Sequence, residues 1–313
     1  MTAGLGHTLF IANPAAKNGA ASREISRVAE RLRALSSVSR LESVETRYAG
    51  HARELAREAQ GFDTILAMGG DGIVHEICDG VMLRNDISLR EDLARLKVGL
   101  LPFGSGNDYA RTLGMSTNLD VAIDQLEHAQ PIFLDTGICN GQHFCETLSF
   151  GLDAAIALDT VERRKRTGKT GMALYLASGI DQLLHHRDVH HVRMVVDGGE
   201  ERELDIHLMA VQIGCTYGGG FSICPNADPA DGIFDICLAH APLGAFEATH
   251  TFLLAKDGRH LNRRNIESFK ARSLTLKFDH DLPVQIDGER VNGREFEISC
   301  IQQSLCVLRA QGK

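Results

Sequence analysis

The chain has no surplus of positive charge. Its 33 Lys and Arg face 41 Asp and Glu, for a formal net charge of -8. Phosphate backbones are held by excess cations, so no nucleic-acid partner is expected. No stretch approaches the about 20 uninterrupted apolar residues of a membrane span, so any membrane contact is expected to be peripheral. Residues 1–10 lack both a basic region and a long apolar run, and no signal peptide is expected. The eight cysteines, at 78, 139, 145, 215, 224, 237, 300 and 306, include no CxxC pair and mostly sit in apolar runs. They read as buried thiols in a reducing, cytoplasmic compartment. There is no low-complexity tail.

What is present is core material for more than one domain. The 313 residues are 43% hydrophobic and 24% charged, and a chain of this length exceeds what one core usually supports. Residues 1–130 alternate strand and helix signals. Strands are expected at 7–12, 41–46, 63–68 and 97–101, with helices at 51–59, 73–82 and 119–129 between them. A further helix would be capped by Ser22 and carry the stripe Ile25, Val28, Ala29, Leu32 and Leu35. This order implies a mostly parallel α/β sheet with helices on both faces. After Pro131 strand-like runs dominate, at 133–139, 144–150, 190–196, 204–213, 233–239, 273–278, 284–286 and 305–309. Helical patterns remain only at 172–185 and 243–255. The expectation is an antiparallel β-sandwich over residues 131–313, with the last strand packing back on the first domain.

Two loops of the first domain stand out. Gly69-Gly70-Asp71-Gly72 follows the apolar run 64–68 and opens a helix, which is how α/β proteins bring backbone amides and a carboxylate to a phosphate. Gly104-Ser105-Gly106-Asn107-Asp108 repeats the arrangement after the next strand, with Asn107 or Asp108 available as a helix cap. In a parallel sheet both loops lie at carboxyl ends of strands, where ligands bind. Taken singly, either loop is also ordinary turn chemistry. Asp287-Gly288-Glu289 reads first as a hairpin turn. The acidic loop 225–235 has oxygen ligands suited to a hard cation and is equally a turn. The run Arg163-Arg164-Lys165-Arg166, with Lys169, reads as a solvated face or loop, or as a contact for anionic lipid head groups. Gly168-Lys169-Thr170 is no Walker motif, because the required upstream glycine is Arg163. His185, His186, His190 and His191 lack zinc-site spacing.

Taken in order, these segments resemble the diacylglycerol kinase catalytic family, which includes bacterial lipid kinases and the sphingosine and ceramide kinases. The matches are Asn13-Pro14, Gly69 to Gly72 with Glu76, Gly104 to Asp108, Asp135-Thr136-Gly137, Gly151-Leu152-Asp153, Gly218-Gly219-Gly220, Asp231-Gly232 and Asp287-Gly288-Glu289. The resemblance implies a phosphofructokinase- or NAD kinase-like nucleotide-binding domain, then a β-sandwich domain, with the active site between them. It implies an ATP- and Mg-dependent lipid kinase of phospholipid metabolism, acting on a lipid substrate at the membrane surface. Asn13, Pro14, Lys17, Gly69, Gly70, Gly72, Glu76, Gly104, Ser105, Gly106 and Asn107 would hold ATP. Asp71, Asp108 and Glu289 would be catalytic, with Asp71 or Glu289 as base, and Asp231 would bind a structural Mg ion with carbonyls of Pro229 and Ile233.

Two departures go with this. The family usually has Thr where this chain has Ile73, which removes a hydroxyl beside the glycines. The glycine of the first loop is shifted in Lys17-Asn18-Gly19. An NAD kinase would share the first glycine loop without requiring the later motifs. A non-catalytic nucleotide- or lipid-binding regulator is the third reading. Lipid identity and oligomeric state are not encoded in any short motif; acceptor specificity is expected from an apolar pocket between the domains.

Overall fold

The structure is a computed structural model that describes residues 4–84 and 96–311. It divides into unit 1, Met1–Leu134 with Gln303–Lys313, and unit 2, Asp135–Gln302.

In unit 1 the strands β1 (Gly6–Ala12), β2 (Val38–Glu45), β3 (Thr64–Gly69) and β4 (Lys97–Pro102) are joined by the end of β15 (Glu295–Arg309). They lie in the order β2-β1-β3-β4-β15, each pair parallel. All six residues of β3 are buried, as expected for the central strand of a parallel sheet covered on both faces. Among the described residues the helices are α1 (Ile25–Arg33), α2 (His51–Glu58), α3 (Asp71–Met82), α4 (Asp108–Thr112) and α5 (Leu119–Glu127). The stripe of α1 buries Ile25, Val28, Ala29 and Leu32, while Leu35 lies beyond its end. Ser22 does not cap this helix. A short 3-10 turn, Ala20–Arg23, comes first, and the Ser22 hydroxyl donates to the Gly19 carbonyl inside it. Helix α3 packs on α2 through Gly80, where a Cβ would come within 2.3 Å of the Arg53 carbonyl.

Unit 2 is built on antiparallel pairs in the order β14-β13-β7-β9-β8-β12-β15, with β10 pairing β9 and β11. The strands after β4 are β5 (Gln130–Cys139), β6 (Gln142–Phe144), β7 (Thr147–Gly151), β8 (His190–Val196), β9 (Arg202–Gln212), β10 (Phe234–His240), β11 (Ile266–Ala271), β12 (Ser273–Phe278), β13 (Val284–Ile286) and β14 (Glu289–Val291). One core lies among the strands, where Phe150 stacks on Phe278 and meets Phe296 edge-on. A second core fills the space between β9, β10 and three helices: α6 (Leu152–Thr167), α7 (Met172–His185) and α8 (Ala245–Ala255). Gly137 has a packing reason, since a Cβ there would fall 2.1 Å from the Phe144 ring.

Helix α6 is one the sequence reading missed, since it gave helical patterns after Pro131 only at 172–185 and 243–255; the basic run is exposed at its end, as the solvated face expected for it. Leu152, Ile156 and Thr160 are buried on one side, and Arg164, Lys165 and Arg166 occupy the last turn. Cations there complement the partial negative charge of the helix end.

Candidate functional site

Three adjacent strands of unit 1 end side by side. Ala12 of β1 pairs with Met68 of β3, and Gly69 of β3 with Pro102 of β4. The loops that follow are stitched at their roots: the Asn13 amide donates to the Met68 carbonyl at 2.9 Å, and the Phe103 amide to the Gly69 carbonyl at 2.7 Å. Both glycine loops therefore emerge together at the carboxyl edge of the sheet.

The loops touch at a place that excludes side chains. A Cβ on Gly104 would lie 2.3 Å from the Gly70 Cα, and one on Gly70 would lie 3.0 Å from the Gly104 Cα. Gly72 faces open space, with nothing among the described residues within 4 Å of its Cβ position. Gly69 is filled from behind by Ile73, whose Cγ2 would be 2.8 Å from an added Cβ. Ile73 thus spends its side chain on packing beneath the loop, where it is buried.

Asn107 holds the second loop, in a way the sequence did not reveal. It adopts a left-handed conformation at φ 55° and makes no side-chain cap. Instead its Oδ1 accepts from the Gly104 amide at 2.8 Å and its Nδ2 donates to the Gly104 carbonyl at 3.1 Å. Asp108 opens α4 and is paired with Arg111, whose guanidinium also donates to the Gly106 carbonyl at 2.8 Å.

Asp71 lies at the meeting point. Its Oδ1 accepts from the Tyr109 amide at 3.2 Å. A Cβ on Gly106 would come 2.7 Å from Asp71 Oδ2 and 3.2 Å from Asp108 Oδ2, so both carboxylates face the same glycine. Burial first, and the neighbouring Asp108 second, push the Asp71 carboxyl up to about 6, against backbone amides that pull it down. Two carboxylates converging beside open backbone suit a divalent cation carried by polyphosphate.

At the rim, Lys17 sits at φ 49° with Nζ 4.4 Å from the centre of the Phe103 ring, leaving a cation beside the loops. Ser105 has no hydrogen-bond partner for its hydroxyl among the described residues. Asn13 closes its own turn by accepting from the Ala15 amide at 2.9 Å, with Pro14 inside that turn. Glu76 braces α2 instead, where its carboxylate accepts from the amides of Gly50 at 2.9 Å and Ala52 at 3.1 Å at the start of that helix.

The unit 2 residues serve three places. Asp287 and Gly288, at φ 45° and 93°, form a two-residue hairpin between β13 and β14. The Asp287 carboxylate accepts from the amides of Cys145, Glu146 and Thr147. That leaves Glu289 exposed, with no side-chain partner among the described residues. At the acidic loop, Asp135 accepts from the Gly232 amide and donates its own amide to the Pro229 carbonyl, both at 2.7 Å. Asp231 accepts from the Ile233 amide at 3.2 Å, and its other oxygen meets Lys270 Nζ at 2.9 Å. Lys270 also lies 3.1 Å from Asp235. An ammonium already occupies the cation's place there, and the arrangement does not fit a structural Mg ion.

A third place was missed by sequence reasoning. A cavity of about 60 Å³ lies wholly inside unit 2. Its lining is apolar apart from a few groups, among them Asp153, Tyr217 and Thr251. Asp153 Oδ2, the Tyr217 hydroxyl and Thr251 Oγ1 are buried there without hydrogen-bond partners among the described residues. Burial pushes the Asp153 carboxyl up to about 7. Buried polar atoms left unpaired cost about 1–3 kcal/mol each, which favours a ligand that supplies polar groups. Gly151-Leu152-Asp153 stood in the sequence only as one of the resemblance's motifs, with no role attached; Tyr217 and Thr251 were not singled out.

Residues 7–139 match the model of the diacylglycerol kinase catalytic domain, and residues 146–309 that of the YegS C-terminal NAD kinase beta sandwich-like domain. The chain is 30% identical over 259 residues to a diacylglycerol kinase of Mycobacterium tuberculosis, covering 81% of this chain and 79% of that one. It is 29% identical to a diacylglycerol kinase of Bacillus subtilis, over 78% of this chain and 77% of that one. Among solved structures, a diacylglycerol kinase from Bacillus anthracis matches with TM-score 0.72 at 22% identity, covering 97% and 96% of the two chains. An NAD kinase from Archaeoglobus fulgidus in complex with ATP matches with TM-score 0.52 at 14% identity, covering 98% and 94%. These two likenesses concern the fold.

Proposed function

Because the chain belongs to the diacylglycerol kinase catalytic-domain family, we propose that it is a lipid kinase that transfers the γ-phosphoryl group of ATP to a diacylglycerol-like hydroxyl. The observation that carries this reading is the contact of Gly70 with Gly104, which leaves Gly72 open beside the raised Asp71 carboxyl. A phosphate chain laid over bare glycine backbone meets amides without displacing side chains.

In this reading Lys17 and the Ser105 hydroxyl bind phosphate oxygens, and Asp71 and Asp108 face the ion of Mg-ATP. When bound, that ion would spread the charge developing on the transferred group. Asp71 takes the proton of the attacking hydroxyl; the new oxygen–phosphorus bond forms as the bond to the β-phosphate oxygen breaks, and ADP leaves. A carboxylate titrating near neutrality suits that proton transfer. Glu289 is the alternative base, a role its exposure permits. Glu76 acts at one remove, by fixing α2 against α3. The unit 2 cavity supports a lipid acceptor, with Asp153, Tyr217 and Thr251 offering polar contacts among apolar walls.

The test is transfer of labelled γ-phosphate from Mg-ATP to dispersed diacylglycerol. Wild type should label the lipid, and Asp71→Asn should lower turnover by about 100-fold or more while keeping the fold. A larger loss in Glu289→Gln than in Asp71→Asn would move the base to Glu289. Near wild-type turnover in Asp71→Asn would remove Asp71 from the chemistry.

A further inference from the structure

The sheet of unit 2 carries polar side chains in a place where apolar ones would pack. On β7 and β13, Leu148, Phe150, Val284 and Ile286 enter the core among the strands. The residues between them point to the opposite face. There Ser149 pairs with Gln285 of β13 and with Ala210 of β9, and Ala210 pairs in turn with Cys237 of β10. Ala210 and Cys237 belong to the core that the helices cover. Ser149 and Gln285 are buried beside them, at 0% and 1% exposure. Apolar residues would fill this place without desolvating an amide.

Their hydrogen bonds form one line. Gln285 Nε2 donates to Ser149 Oγ at 2.8 Å, and Gln285 Oε1 accepts from the Gly288 amide at 2.7 Å. The side-chain amide cannot be turned round, because the Gly288 N–H only donates. A hydroxyl that accepts one bond still has its own O–H to give, and Ser149 gives it to the Asp153 carboxyl. The line therefore runs from Asp153, in the cavity wall, through Ser149 and Gln285 to Gly288, the residue before Glu289. The turn itself needs no such support. Asp-Gly is a favoured two-residue hairpin, and the Asp287 carboxylate already accepts from the amides of Cys145, Glu146 and Thr147.

Hydrogen bonds in series polarise one another, and a bond to an ionised carboxylate is about twice as strong as one to a neutral group. Ionisation of Asp153, or its engagement by a polar group in the cavity, thus changes the pull that reaches Gly288. No proton travels along the line; only the strength of successive bonds changes.

We propose that Gln285 is a positioning residue, which couples the state of Asp153 in the cavity to the hairpin that carries Glu289. Its use in turnover rests on the lipid-kinase reading, in which the cavity supports the acceptor and Glu289 is the alternative base. The coupling itself lies within unit 2 and is read without ATP.

The titratable groups that face Asp153 are the thiols of Cys224 and Cys237, both pushed up by burial, and, around the cavity, Tyr175, Tyr217, His207 and His260. Burial lowers His260. His207 is engaged at both ring nitrogens, by the Asp188 carbonyl and the Leu243 amide. Replacing Asp153 separates its titration from theirs.

The experiment follows the Gly288 amide by NMR across a pH titration of the full chain, labelled in its glycines and free of nucleotide. In wild type the signal should move with a midpoint near 7, and in Asp153→Asn it should stay flat. Ser149→Ala and Gln285→Met should each shrink the movement about fivefold or more, while Ser149→Thr, which keeps the hydroxyl, should retain it. Gln212→Met is the control: Gln212 donates to Thr147 Oγ1 at 2.6 Å, off the line from Asp153, and its loss should leave the Gly288 titration in place. In lipid phosphorylation Ser149→Ala should lower kcat about tenfold, keep the KM for ATP within about twofold, and add no loss to that of Glu289→Gln. A Gly288 signal that is flat in wild type, or that moves as fully in Asp153→Asn or Ser149→Ala, would overturn the proposal. So would unchanged kcat in Ser149→Ala, or a loss that multiplies fully with that of Glu289→Gln, which marks general damage rather than action through the hairpin. A titration that obeys these expectations while no lipid is phosphorylated would leave the coupling standing and remove the kinase reading alone.

Discussion

Asp71 carries the largest consequence of any single residue, because its environment sets both activity and stability. Its carboxyl moves from the ordinary 3.8 to about 6 in the folded chain, chiefly through burial and then through Asp108. The folded state is therefore the better proton binder. Below about pH 4 both states are protonated and burial brings no penalty; as pH rises through about 6 the folded state loses stability relative to the unfolded one. Two outcomes are expected. The kcat/KM profile should rise with pH through a limb near 6, the pKa of the base in the free enzyme. Asp71→Asn should melt higher than wild type at about pH 8 and level with it at about pH 4, even as turnover collapses. Calorimetry at the two pH values checks the second outcome. Asp153, raised to about 7 by burial, obeys the same sign with its window shifted upward. At Ile73 the expectation is structural. Its side chain fills the space behind Gly69, and Ile73→Thr should cost about 1–2 kcal/mol in denaturant unfolding by burying a hydroxyl where a methyl packs.

At the scale of elements, the two glycine loops make separable predictions. Gly104→Ala should disrupt the loop contact, because its Cβ would fall 2.3 Å from the Gly70 backbone, and should lower both the melting temperature and ATP affinity. Gly72→Ala meets no atom of the described residues and should leave melting unchanged, or raise it slightly at a helix position. If phosphate lies over Gly72, the same change should weaken ATP binding about tenfold or more; calorimetric titration with ATP reads this directly. The acidic loop predicts that chelation of divalent ions leaves the melting temperature unchanged without nucleotide, because Lys270 already neutralises Asp231 and Asp235. Most elements around these loops were legible in the sequence. The parallel strands of unit 1 are short apolar runs bounded by turn residues, and both glycine loops sit where those runs end. Helix α6 was not legible: its second half is charged, and the basic run that ends it resembles a solvated loop. The Asn107 clasp and the Glu76 contacts at α2 were hidden for a different reason. They depend on which backbone amides the fold brings near, 26 residues upstream in the case of Gly50, and no local pattern records that. The cavity atoms of Tyr217 and Thr251 come together through tertiary packing alone.

For the whole molecule, the path of the chain constrains how it can be cut. It leaves unit 1 after Leu134 and returns at Gln303, which adopts φ 47° within β15. The returning segment pairs with β4 through Val307 and Val98 and buries Leu305, Val307 and Leu308. A fragment ending at Leu134 should therefore expose the β4 edge and aggregate, whereas one with residues 303–313 joined to it should be soluble and bind ATP; gel filtration and ATP titration distinguish the two. The central claim is phosphoryl transfer from ATP to a lipid hydroxyl. Its most direct test incubates the full chain with labelled Mg-ATP and a total lipid extract, with NAD offered in parallel. Label in an extractable lipid, lost in Asp71→Asn, is the predicted result; label in NAD, or none in either acceptor despite measurable ATP binding, would contradict it.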